Sequence, residues 1–118
     1  MYSFNFERLE VWQKSRTLAK KIYGLTKTFP EEEKYGLVNQ LRRSIISVCS
    51  NISEGASRRS ENDQKHFYIM AFSGLMECMN QIIISNDLEY IIEKTTLEMR
   101  KEIELVSYML LKLRESRS

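Results

Sequence analysis

Apolar positions recur at helical spacing in four stretches of the chain. Leu9, Trp12, Ala19, Ile22, Tyr23 and Thr26 share one face, which predicts a first helix over residues 7–28. It stops at Phe29-Pro30, because a proline ring disfavours helical geometry in the residue before it. A second helix is expected over 34–54, with a seam of Leu37, Leu41, Ile45, Val48 and Ile52. Glu31, Glu32 and Glu33 precede it, where negative charge suits the positive end of a helix dipole, and Gly55 is placed to end it. The third, over 61–89, carries Phe67, Met70, Ala71, Gly74, Cys78, Ile82, Ser85 and Leu88 inward, and Ser60 with Asp63 forms its capping pattern. Thr95 with Glu98 repeats that pattern before a fourth helix over 96–114, whose seam is Met99, Ile103, Val106, Leu110 and Leu113.

None of these stripes can be buried alone, and the connections are short. The expected fold is therefore all-α: one domain over 1–118, an antiparallel up-down-up-down four-helix bundle with helices about 30 Å long. Residues 1–5 and 115–118 are expected to fray.

Composition narrows the chemistry. Four glycines and one proline are too little punctuation for a β protein, and 42% hydrophobic with 29% charged residues describes a folded soluble domain rather than a disordered one. No basic start followed by an apolar stretch opens the chain, and no apolar run approaches the ~20 residues that span a bilayer, so a cytoplasmic protein without a membrane partner is expected. Cys49, Cys78 and a single histidine, His66, cannot supply four zinc ligands, and one histidine excludes a di-iron site built on paired Glu-x-x-His motifs. No cofactor or metal is expected. A nucleophile with its base, or a phosphate loop, is also missing, so Glu54 and Glu77 read as structural carboxylates rather than an acid/base pair.

From Gln40 to Arg58 the chain reads QLRRSIISVCSNISEGASR, and this resembles the signature of the four-helix-bundle proteins encoded by intervening sequences in bacterial 23S rRNA genes. Phe6, Leu9, Val11 and Trp12 resemble that family's opening; Phe29-Pro30 with Tyr35-Gly36-Leu37 resembles the start of its second helix; Ala71 to Glu77 resembles the small-residue centre of its third. Two departures from the family pattern stand out: Ser73-Gly74 stands where glycine then serine is common, and Cys49 where proline is frequent. The resemblance implies a ring-like homo-oligomer, usually a pentamer, with no established enzymatic activity. Related bundle proteins serve as accessory factors to reverse transcriptases in diversity-generating elements and are thought to bind nucleic acid.

A second stripe runs along the second helix, about 100° from its apolar seam: Gln40, Ser44, Ser47, Asn51 and Glu54. It is polar where a solvated face would be charged. The residues themselves leave two readings open, a subunit interface or register-fixing polar network and a plain low-charge surface; the resemblance favours the interface. Ser73, Glu77 and Gln81 offer a partner line on the third helix, with Gly74 allowing close backbone approach and Glu77, beside an arginine of the second helix, expected as a paired buried charge.

Net charge is only +2, but Glu7 to Thr28 holds six bases and two acids, a local +4, with Arg16, Lys20 and Lys27 on one face. Arg42, Arg43, Arg58 and Arg59 extend the candidate anion-binding set, and Arg58 with Arg59 before the third helix is the favoured place for a phosphate. Repeated around a ring, such a patch gains through counterion release at several phosphates. Trp12, Tyr23 and Phe67 fall on core stripes, whereas Phe4 and Phe6 precede the first helix and are free to cover a neighbour. The expected protein is thus a non-enzymatic homo-oligomer contacting RNA or DNA weakly; the alternative is a scaffold that docks a protein partner and never meets nucleic acid.

Overall fold

The computed structural model describes residues 1–117. Its helices are α1 (Glu10–Thr26), α2 (Leu37–Ser57), α3 (Glu61–Asp87) and α4 (Glu93–Glu115), with 3-10 turns at Asn5–Arg8 and Glu31–Glu33. Each helix packs on the next and α4 returns to α1, giving the expected antiparallel four-helix bundle, 43 × 29 × 21 Å, in which α2 against α3 is the most extensive contact.

The seams of α2 and α4 are those the spacing predicts, except that Leu37 and Leu113 at their ends are half-buried. The face of α1 is rotated from expectation. Val11, Ser15, Leu18, Ile22 and Thr26 are buried, Trp12 and Ala19 are half-buried and Tyr23 is exposed. A hydroxyl can occupy the core where it bonds back to its own helix, and Ser15 Oγ donates to the Val11 carbonyl (2.8 Å) and Thr26 Oγ1 to that of Ile22 (2.8 Å). Ser85 does the same with Gln81 (2.7 Å). On α3 the inward set is Tyr68, Ala71, Gly74, Leu75, Cys78, Gln81, Ile82 and Ser85, so Tyr68 replaces Phe67 in the core and Leu88 is exposed.

Helix ends follow tertiary anchors as much as local signals. Ser60 caps α3 as expected, accepting from the Asp63 amide (3.1 Å). Glu33 reaches over a disengaged 3-10 turn, so α2 begins at Leu37 and not at residue 34: its Oε1 accepts from the Leu37 amide (3.2 Å) while Oε2 accepts from Tyr90 Oη (2.8 Å). That bond to the Glu33 carboxylate raises the Tyr90 phenol above its ordinary range, so its contribution is complete at neutral pH and is lost only as pH rises past the phenol's ordinary, unfolded-state range. α4 starts at Glu93, before the Thr95 and Glu98 pattern, because Asn86 Nδ2 holds the Glu93 carboxylate (2.7 Å) and buried Ile91 pins the turn. Gly55 does not end α2. The helix continues to Ser57, and a Cβ on Gly55 would lie 2.7 Å from Tyr68 Cε1 and 3.0 Å from Phe67 Cβ, so this glycine serves close packing on α3.

Both chain ends are tied down. Glu7 Oε1 accepts from the Phe4 amide (2.8 Å), Arg8 donates to the Ser3 carbonyl (2.9 Å), and Arg117 donates to Gln64 Oε1 (2.6 Å); Ser118, also expected to fray, lies outside the described residues. α3 is long and apolar enough, by length and composition alone, to cross a membrane, with 44% of its most apolar window buried in the bundle. Of its other apolar residues Phe72 and Met79 pack against the core, while Ile69, Met76, Ile83 and Ile84 are exposed.

Candidate functional site

The two polar lines meet inside one subunit, where α2 crosses α3. A Cβ on Gly74 would stand 3.2 Å from Val48 Cγ2 and 3.5 Å from the Ser44 carbonyl, so the absent side chain sets how closely the helices approach. Beside this crossing Ser44 is 4% exposed and Gln81 8% exposed. Ser44 Oγ lies 2.7 Å from the Gln40 carbonyl, 3.1 Å from Gln81 Oε1 and 3.5 Å from Glu77 Oε2, and having one proton it serves one of them at a time. Gln81 Nε2 reaches Gln40 Oε1 at 3.5 Å. Asn39, Arg43, Ser47 and Glu77 complete the walls of an open groove of about 360 Å³.

Further along α2, Asn51 is half-buried and donates to Ser47 (3.0 Å to the carbonyl, 3.1 Å to Oγ), while Glu54 is exposed and paired with Arg58 (2.8 Å). Gln40, Ser47, Ser73 and Glu77 are exposed in the single subunit. Glu77 was expected to be a buried partner of an arginine. It is instead an exposed carboxylate sharing the groove with Arg43, and no ion pair joins the two among the described residues.

The seven candidate cations do not form one patch. Arg42 donates Nε to Thr26 Oγ1 (2.9 Å) and NH2 to the Tyr23 carbonyl (3.2 Å), with its guanidinium 4.6 Å from the Tyr23 ring centre. It therefore latches the C-terminal end of α1 to α2. Arg42→Ala should destabilise the fold by about 1.5–3 kcal/mol in urea unfolding, as for a hydrogen-bonded charge, whereas Lys20→Ala and Lys27→Ala should stay within ~0.5 kcal/mol as exposed positions. Arg58 is held by Glu54 and covers the Phe67 ring at 4.7 Å. Sixteen residues of α2 separate it from Arg42, about 24 Å of helix. Arg58 with Arg59 is a poor phosphate site for a second reason: Glu61 and Asp63 occupy the first turn of α3 and already satisfy its dipole. Arg16, Lys20, Lys27, Arg43 and Arg59 remain exposed, with Arg16 5.4 Å above Trp12.

Neither thiol is primed for chemistry. Burial pushes Cys49 up to about 11 and Cys78 up to about 12, where the neighbouring Glu77 charge adds to the effect. Both stay protonated near neutrality, so dithionitrobenzoate should label the native protein far more slowly than the urea-unfolded chain. Among the described residues no three His, Cys, Asp or Glu side chains gather as a metal site would need.

Apolar side chains that flank the buried seams stay bare. Ile46, Ile69, Met76, Ile83 and Ile84 are 37–45% exposed on the outer surfaces of α2 and α3. The signal for that exposure was charge depletion: Ser44 to Ser57 contains one charged residue, Glu54, and Phe67 to Asn86 contains one, Glu77, whereas ten of the 23 residues of α4 are charged.

The family model described as 23S rRNA-intervening sequence protein matches residues 7–112. The chain belongs to this family. Its helices superpose, with a TM-score of 0.82, on a crystal structure of a protein with unknown function from the S23 ribosomal protein family of Bacteroides thetaiotaomicron VPI-5482. That pair is 23% identical over 89% of this chain and 95% of the other, a likeness of fold. No curated protein matches the chain. The QLRRSIISVCSNISEGASR segment lies within the residues that match the 23S rRNA-intervening sequence protein family, and it builds the α2 side of the polar groove and of the close contacts at Gly55 and Gly74.

Proposed function

We propose that this family member acts by binding and not by catalysis, as a cytoplasmic homo-oligomer whose subunits meet through the outer surfaces of α2 and α3. The observation that carries the reading is the charge-poor face itself. Two adjacent helices leave Ile46, Ile69, Met76 and Ile83 exposed, and Glu54 and Glu77 are the charged residues in Ser44–Ser57 and Phe67–Asn86. Exposed apolar side chains on surfaces poor in charge are what an interface needs and what a solvated helix face avoids. A five-membered ring is the assembly that the family resemblance implies. In it Arg16, Lys20, Lys27, Arg43 and Arg59 recur once per subunit, and repetition turns five modest sets of cations into one multivalent surface for the RNA or DNA backbone.

Native mass spectrometry and sedimentation at micromolar concentration test the assembly. The wild-type protein should be a ring-sized oligomer, and Met76→Glu, which sets a charge on the bare α3 face, should yield folded monomers with unchanged helical circular dichroism. A wild-type monomer overturns the assembly. Nucleic-acid affinity should fall steeply with salt and weaken in a Lys20→Glu/Lys27→Glu variant. An oligomer that binds no oligonucleotide at low salt overturns that half and leaves the protein scaffold as the function.

A further inference from the structure

The N-terminal arm is the least expected surface of the molecule. Tyr2, Phe4, Phe6 and Trp12 form a continuous ladder of rings, with centroids 5.1, 6.4 and 4.9 Å apart in turn, and the Phe4 and Phe6 rings are within 12° of parallel. Tyr2 is 78% and Phe4 58% exposed, yet the arm is held in place by the Phe4 amide bonded to Glu7 and by Arg8 bonded to the Ser3 carbonyl. Rigid, exposed aromatic rings bind without a large ordering cost. Between the arm and the C-terminal end of α2 lies an open hollow of about 410 Å³, walled by Tyr2, Phe4 and Phe6 on one side and by Ser53, Glu54 and Ser57 on the other.

We infer that this hollow takes an unpaired nucleobase, making the arm the place where a single strand is gripped; the inference deepens the nucleic-acid half of the function proposed above. Three observations converge. The rings supply faces for stacking, which every base satisfies and which a duplex conceals. The opposite wall supplies the Ser53 and Ser57 hydroxyl oxygens, whose protons go to backbone carbonyls, and Glu54 Oε2, the carboxylate oxygen not bonded to Arg58, acceptors suited to the amino edge of adenine, cytosine or guanine. The cations stand outside the hollow: Arg8 at the arm, Arg16 over Trp12, and exposed Arg59 just beyond the end of α2, positions from which a phosphate backbone could be met while the base is stacked. Uracil and thymine, which present carbonyls at that edge, fit it less well.

Trp12 is the single tryptophan and its ring meets Phe6, a wall of the hollow, so its fluorescence reports on the site through that contact. Full-length protein is titrated with 12-nucleotide oligo-adenosine, oligo-uridine and a duplex of equal length, alongside Tyr2→Ala/Phe4→Ala and the aromatic replacement Phe4→Tyr. The inference expects quenching of Trp12 by oligo-adenosine, weaker binding of oligo-uridine and of the duplex, an about tenfold or greater loss of affinity in the double alanine variant, and near wild-type binding by Phe4→Tyr. Equal binding by wild type and the double alanine variant, with unchanged quenching, overturns the arm site while leaving the nucleic-acid reading intact. Absence of binding by the wild-type protein overturns both. Dissociation of the oligomer in the double alanine variant at unaltered oligonucleotide affinity assigns the arm to a neighbouring subunit and overturns the inference.

Discussion

Ile45→Ala should remove about 3 kcal/mol of folding stability, while Ile46→Ala, one residue on, should leave the isolated subunit within about 0.5 kcal/mol of wild type. Side chain and helix are shared; only the face differs. Ile45 is fully buried in the middle of α2, among the residues that join all four helices, and its truncation leaves a cavity that a close-packed core fills poorly. Ile46 is 45% exposed. Urea unfolding of both variants in the Met76→Glu background, which is expected to separate the subunits of the proposed assembly, reads this difference without a contribution from assembly. In the wild-type background the order changes in a second measurement, because Ile46→Ala should raise the concentration at which the oligomer dissociates. Equal stabilities for the two variants would show that α2 is rotated from the position described.

The second large effect concerns the glycines at the α2–α3 contact. Gly74→Leu should destabilise by about 3 kcal/mol, at the upper end of overpacking costs, because its first carbon already meets Val48 at 3.2 Å and three more carbons must follow. Gly74→Ala should lie near neutral, since that tight first contact offsets a gain of up to ~1 kcal/mol in helix propensity. Gly55→Ala is the harsher alanine, losing about 1–2 kcal/mol, because its Cβ would press on the buried ring of Tyr68 at 2.7 Å and on Phe67 Cβ at 3.0 Å. Thermal melts separate these outcomes at about 4 °C per kcal/mol for a domain of this size. A consequence for the assembly follows: Gly74→Leu acts inside the subunit, so a lost oligomer in that variant reports unfolding, and Met76→Glu is the cleaner probe of the outer face.

The extent to which the chain could be read in advance varied by helix for physical reasons. α2 was legible because its seam is wholly aliphatic and in step with 3.6 residues per turn. α1 was not, because Ser15 looks polar in a string of letters and becomes a core residue only when its hydroxyl finds the carbonyl one turn back, so the spacing points to a stripe through Trp12, Ala19 and Tyr23 instead of Val11, Ser15 and Leu18. Gly55 read as a stop signal since a glycine after a long helix usually is one; the ring of Tyr68, thirteen residues later, gives it a different task. Charge shows the sharpest contrast. Arg42 and Arg58 count as free cations in composition, yet each is committed to a neighbour, Arg42 to the end of α1 and Arg58 to Glu54 and Phe67.

The order of apolar and polar residues determined by itself that there are four helices, roughly where they lie, that they form one bundle, and that α2 carries a polar line beside its apolar seam. Helical periodicity is a local property, and the short connections leave one simple way to bury four stripes together. Tertiary packing alone decided which face of α1 turned inward, which of two neighbouring aromatic residues was buried on α3, that the polar lines of α2 and α3 met within one subunit, and that the apolar outer faces of α2 and α3 were left uncovered by their own chain. Those outcomes depend on the rotation of each helix about its axis, which is fixed only when all four helices compete for the same interior.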